Sequence, residues 1–224
     1  MKNVRNAFKL YARASLNPFT IGFGLFMTVG MALAFIIDPD PVGSEEYISM
    51  IGAVGMGHIG ALFMVMFGAF RINQNKFYAA ANCARDIYTT APIIMTLIVE
   101  LIFDAVIAVA AGINLGITGV ADVVFFNAVS GGLLLIGAAA INKKGLSLLY
   151  IIPYFGFIGL TRIIKNCGKY DIGFGLSVWE SLLLAVVIYA LCAAFALIAT
   201  RLWWRRGNRI AIKANVASDV FNRA

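Results

Sequence analysis

The chain contains one histidine, His58, and it sits in a long apolar stretch. The next apolar stretch carries two carboxylates, Glu100 and Asp104, four positions apart. On a helix these share one face, one turn apart. At about 1.5 Å of rise per residue, His58 and Asp104 fall at similar depth in their two stretches. An ionisable group inside a membrane segment is costly, so each such residue is a candidate for a substrate or ion path. The plainer alternative is a satisfied polar cluster that pins helices together, and the sequence leaves both open. Asn127 and Glu180 read as structural or interfacial residues.

Other motifs carry less chemistry. Gly55-Met56-Gly57-His58-Ile59-Gly60 has the letters of a dinucleotide fingerprint, but it neither follows a strand nor precedes an acidic residue about 20 positions on. Ala53, Gly57 and Ala61, four apart, instead suit close helix–helix contact, and Gly22, Gly30, Gly131 and Gly132 are further candidates. Gly168-Lys169 lacks the upstream glycine and following Ser/Thr of a phosphate-binding loop. No Ser/His/Asp set or zinc-ligand spacing is present, so the chain supplies no ATPase or hydrolase chemistry and no cofactor site of its own. Cys83, Cys167 and Cys192 are spread over different segments, with no spacing that suggests a disulfide or metal site.

The elements that position these residues are apolar. The 224 residues are 61% hydrophobic and 13% charged, with mean hydropathy +0.87. Soluble chains are about 45–50% apolar and about 25% charged. Several runs reach the roughly 20 residues a spanning helix needs. The net charge of +7 therefore reads as topology and attraction to anionic lipid, with no nucleic-acid partner implied.

The expectation is an all-α integral membrane protein with six transmembrane helices. Residues 1–18 form an amphipathic interfacial helix, with Val4, Ala7, Phe8, Tyr11 and Ser15 on one face and Lys2, Arg5, Lys9 and Arg13 on the other. Pro18 opens the first span, and the apolar run 19–37 is too long for a signal peptide. The six-helix domain covers 19–204, with spans near 19–37, 47–70, 91–113, 122–141, 146–164 and 176–204, followed by a short basic tail at 205–224. The fifth, short and containing Pro153, reads either as a full span or as a re-entrant segment. Six crossings with both termini cytoplasmic leave only Arg162, Lys165 and Lys169 outside, of 18 Lys/Arg, and the positive-inside rule favours that topology.

Residues 71–92 break the apolar pattern with Arg71, Lys76 and Arg85. Asn75 can cap a helix in which Phe77, Ala80, Ala81, Ala84 and Tyr88 share a face, opposite Asn82, Arg85 and Asp86. Such a helix is either a docking element for a cytoplasmic partner or a solvated connector in the headgroups.

The N-terminal amphipathic helix, the six spans and a helical first cytoplasmic loop ending in Tyr88-Thr89-Thr90-Ala91-Pro92 resemble a type-2 ATP-binding-cassette exporter permease. The segment 162–171 would correspond to that fold's external helices, although the loop lacks the Leu-Pro-rich signature many members carry. The resemblance implies two permeases, identical or related, each docking a separate ATPase subunit through the N-terminal helix and Lys76, Phe77, Asn82, Arg85, Asp86 and Tyr88. ATP and magnesium would sit on that partner. It also implies outward movement of an amphipathic substrate, such as a peptide, across a bacterial plasma membrane. The competing class is an ion-coupled secondary transporter or channel using Glu100, Asp104 and His58.

Overall fold

The computed structural model describes residues 2–37, 40–141, 159 and 175–205. The described residues are helical and contain no strand. In chain order the helices are α1 (Lys2–Ser15), α2 (Pro18–Ile37), α3 (Glu45–Gly57), α4 (Ile59–Gln74), α5 (Lys76–Ala80), α6 (Ala84–Tyr88), α7 (Thr90–Asn114), α8 (Gly116–Ala138) and α9 (Val178–Arg205). Five helical stretches are long and apolar enough to cross a membrane: Pro18–Ile37, Glu45–Gln74, Thr90–Asn114, Gly116–Ala138 and Val178–Trp204. The second joins α3 and α4 across His58. The apolar segment expected at 146–164, the external segment 162–171 and the tail beyond Arg205 lie outside the described residues.

Polar side chains set where the helices start and stop. Asn17 Oδ1 accepts from the amides of Phe19 and Thr20 at 3.0 and 3.1 Å, capping α2. At the other end of α2, Asn114 Nδ2 donates to the carbonyls of Phe35 and Ile36 at 3.1 and 2.8 Å. Those carbonyls would otherwise be orphaned at the helix terminus. Ser44 Oγ accepts from the Tyr47 amide at 3.0 Å, and Glu45 and Glu46 occupy the first turn of α3, where the helix dipole favours acids. Gly116, at φ +64°, turns the chain directly from α7 into α8. The fourth span therefore begins six residues before the expected 122, because one glycine replaces the loop expected there.

α8 is the central helix, packed most extensively on α9 and α7. It runs parallel to α9. Asp122 shares one cavity with Gly175 and Glu180 at one end, and further along Gly131 lies under Tyr189 and Gly132 under Ile188 and Cys192. The Gly131 and Gly132 contacts fit the small-residue expectation. Gly22 and Gly30 do not, since nothing approaches either. The close crossing of α2 on α4 is instead made by Gly24 and Gly60.

Two apolar cores stack along the bundle. One joins Phe35, Tyr47, Ile48, Ile51, Phe103, Ile107, Val123 and Phe126, toward the end that carries the 40–44 turn. The other joins Tyr11, Val65, Ile72, Ile87, Tyr88, Ile93, Leu135 and Ala196, toward α5 and α6. α1 packs on α4, α7 and α6. Its apolar face is therefore covered by its own chain, where the sequence predicts burial in lipid. Tyr11 is fully buried and donates its hydroxyl to the Val65 carbonyl at 2.8 Å. Gly68 makes room for Tyr11 and Ser15 against α4. Arg5, Lys9 and Arg13 stay exposed on the other face of α1.

Candidate functional site

A polar layer lies between the two cores. His58 closes the junction between α3 and α4, where it adopts φ −61° and ψ −14°, and its carbonyl accepts from the Leu62 amide at 3.0 Å. Backbone hydrogen bonding is thus resumed within a turn, and the imidazole is thrown into the bundle. His58 Nδ1 contacts Glu100 Oε2 directly, and the ring leans on Phe103 with centroids 4.7 Å apart. One turn on, Asp104 accepts from the Tyr189 hydroxyl of α9 through Oδ2. The Asn127 amide of α8 stands beside His58. His58, Glu100 and Asn127 are 2%, 0% and 1% exposed. The three candidate residues of the polar cluster therefore come together, with ligand-capable atoms within 4.8 Å of one another.

The layer is only half satisfied. His58 Nε2, Glu100 Oε1, Asp104 Oδ1 and both polar atoms of Asn127 have no hydrogen-bond partner. Among the described residues, no Lys or Arg side chain pairs with either carboxylate. Asp104 and Tyr189 also line an apolar groove of about 420 Å³ between α7 and α9, together with Leu97, Leu101, Leu182 and Val186. The layer thus has an opening on its Asp104 side. Tyr189 was not a candidate on sequence grounds, although a tyrosine in the middle of an apolar helix needs a partner for its hydroxyl.

The 71–92 region differs from the single amphipathic helix expected. α5 and α6 are separate five-residue helices, split by a turn at 81–83. Asn75 does cap α5, accepting from the Phe77 amide at 3.0 Å. The turn resets the helical phase, so the faces read from 77 onward do not carry into α6. Asp86, expected opposite the apolar face, is 3% exposed, and Tyr88 is also buried. Neither is available as a docking contact. Asp86 lies 3.4 Å from Arg85, whose own side chain is 62% exposed. Tyr88 stacks on Trp204 of α9 at 6.4 Å and turns its hydroxyl toward the Ile72 carbonyl, 3.5 Å away. Burial, helped by the neighbouring Tyr78, pushes its phenol up to about 12. Phe77 is 63% exposed. Asn82 is exposed as well, and Lys76 opens α5. The exposed set is thus Phe77, Asn82 and Arg85, on a base of Asp86, Ile87 and Tyr88 that is sunk into α1, α7 and α9.

Comparison of the chain with protein-family models, with curated proteins and with solved structures gave no match.

Proposed function

We propose that this chain is the membrane permease of an ATP-driven exporter of the type-2 ATP-binding-cassette kind. In this reading a separate ATPase subunit, carrying ATP and magnesium, docks on α5–α6. A second copy of the chain, or a related permease, completes the pore in a bacterial plasma membrane. The substrate is an amphipathic molecule such as a peptide, moved outward.

The observation that carries this reading is the construction of the α5–α6 tip. Phe77, Asn82 and Arg85 are presented outward, while α6 is anchored beneath them against α1 and α7 and against Trp204 of α9. A push on the tip would be transmitted to three long elements at once. A solvated connector has no need of a buried base.

Six spans with both termini cytoplasmic belong to the same proposal. Five helices are long and apolar enough to span, and the parallel course of α8 and α9 suits one further crossing between them. In this reading residues 146–164, the apolar stretch of that connection, make it. The tip then faces the cytoplasm together with the basic residues of α1.

A second reading, an ion-coupled transporter or channel, is favoured by one observation. The second span is interrupted at His58, where its side chain joins Glu100, and broken helices with polar groups near the membrane midplane are a feature of secondary transporters.

The test is Arg85→Glu combined with Asn82→Glu. Both residues are exposed, so the pair alters the tip's charge without disturbing α6's base. Co-expressed with the candidate ATPase, the tagged double variant should insert normally yet retain less than a tenth of the ATPase that the wild type retains. Equal recovery with unchanged stimulation of ATP hydrolysis removes the docking role.

A further inference from the structure

We propose that His58, Glu100 and Asp104, with Asn127, form a binding site for a divalent first-row transition-metal ion inside the bundle. The inference does not depend on the ATP-driven reading and goes beyond it. It starts from the way the four side chains are half satisfied. His58 Nδ1 and Glu100 Oε2 touch directly across one shared proton, which an ion could displace to take both atoms as ligands. Glu100 Oε1, Asp104 Oδ1 and the Asn127 carbonyl oxygen are acceptors, and all three atoms are buried without a partner. A buried set made of acceptors needs a donor or a cation.

Charge points the same way. No Lys or Arg among the described residues pairs with the two carboxylates. Isolated charge is expensive away from water, and a divalent ion would neutralise them as it displaces their protons. One nitrogen and several oxygens suit ions such as Zn²⁺, Mn²⁺ or Co²⁺, because imidazole and carboxylate are both ligands of this series.

The geometry is close to what such an ion requires. Metal–nitrogen and metal–oxygen bonds of about 2.0–2.2 Å allow two ligands to be at most about 4.4 Å apart. One ligand-capable atom from each of His58, Glu100 and Asp104 lies within 4.8 Å of the others. Side-chain rotations of a few tenths of an ångström close that gap.

An outer contact is in place as well. Tyr189 holds Asp104 through the oxygen that does not ligate, and metal-binding carboxylates are supported in this way. The apolar groove at Asp104 and Tyr189 gives an approach. A bound ion would tie the α3–α4 junction to α7 and α8, and to α9 through Tyr189, and so favour whichever state of the bundle brings those helices together.

The probes are Zn²⁺ and Co²⁺, added to the full-length protein after chelator treatment and purified with a histidine-free tag. Zn²⁺ should bind with one equivalent per chain and raise the unfolding temperature. Co²⁺ should give weak visible bands without the intense near-ultraviolet absorption of thiolate ligation. That optical distinction separates this site from Cys83, Cys167 and Cys192 without mutating them. His58→Gln, Glu100→Gln and Asp104→Asn should each weaken Zn²⁺ binding at least tenfold. Tyr189→Phe, a positioning change that leaves every ligand intact, should weaken it by about 10–100-fold.

The proposal is overturned if folded wild-type protein takes up no stoichiometric Zn²⁺ at about 100 μM, a concentration corresponding to only about −5.5 kcal/mol of binding. It is equally overturned if Co²⁺ shows thiolate absorption alone, or if the folded Tyr189→Phe and His58→Gln variants bind as the wild type does. Because the wild-type measurements stand alone, a ligand variant that fails to fold does not shield the claim.

Discussion

Gly60 and Gly24 meet where α2 crosses α4, and the two glycines should respond very differently to one added methyl group. A Cβ on Gly60 would stand 3.1 Å from Gly24 Cα and 3.5 Å from both the Gly24 carbonyl oxygen and Met27 Cβ. Carbon atoms prefer about 3.5–4.0 Å, so α2 would have to retreat by about 0.4–0.9 Å at the crossing. That retreat loosens the rings that tie the two helices together, Phe19 on Phe67 at 5.8 Å and Phe23 on Phe63 at 4.9 Å. A Cβ on Gly24 would instead meet only the thioether end of Met64, which can swing aside. Both substitutions gain about the same helix propensity, up to about 1 kcal/mol, so their difference isolates the packing cost. Overpacking of this kind costs about 1–3 kcal/mol. By the scaling for chains of this size, Gly60→Ala should melt about 2–4 °C lower than Gly24→Ala for each kcal/mol. The assay is paired thermal and denaturant unfolding of both variants in one detergent. Equal midpoints, or a larger loss in Gly24→Ala, would show that the α2–α4 approach is not as close as described.

Three further outcomes follow from particular contacts. Tyr11→Phe removes the donor to the Val65 carbonyl and leaves the ring in place, so it should cost about 0.5–1.5 kcal/mol and increase protease cleavage after Lys9 and Arg13 as α1 loosens. Asn75→Ala removes the cap of α5 and should cost about 1 kcal/mol locally, read as faster amide exchange at Phe77 and Tyr78 with α7 unchanged. The Tyr88 phenol lies above its ordinary value of 10.0, at about 12, so the fold favours its neutral form. That contribution is fully present below pH 10 and is lost as pH rises through about 12. The phenolate absorbance difference between wild type and Tyr88→Phe should show a step near 12, and a step at 10 would mean Tyr88 is not buried against Trp204.

The five long apolar helices are legible because length and apolarity are local properties, and a run of about 20 apolar residues has few other uses. The cap at Asn75 was legible for the same reason, since the residue type acts on its own neighbours. Helical phase is less legible. Periodicity carried from Phe77 places Asp86 on an open face, but the turn at 81–83 resets the register and buries it. Within an apolar helix periodicity says little, because lipid and a neighbouring helix are equally apolar surroundings. On sequence alone Gly22 and Gly30 are therefore as good contact candidates as Gly24, and lipid is as good a partner for α1's apolar face as its own chain. The meeting of His58, Glu100 and Asp104 follows from matching depth, whereas Asn127, read from the sequence as structural, and Tyr189 join them only through the packing of α8 and α9.

The central claim is that ATP hydrolysis on a separate subunit drives this bundle through α5–α6. The most direct measurement purifies the tagged chain from its native membrane, identifies what co-purifies by mass spectrometry, and reconstitutes that preparation into sealed vesicles. The account predicts a stoichiometric subunit bearing a phosphate-binding loop, which this chain lacks. Its ATP hydrolysis should fall when Phe77 is changed to Asp. It is contradicted if the chain purifies without an ATPase, and if the vesicles accumulate solute under an imposed proton gradient while ignoring ATP.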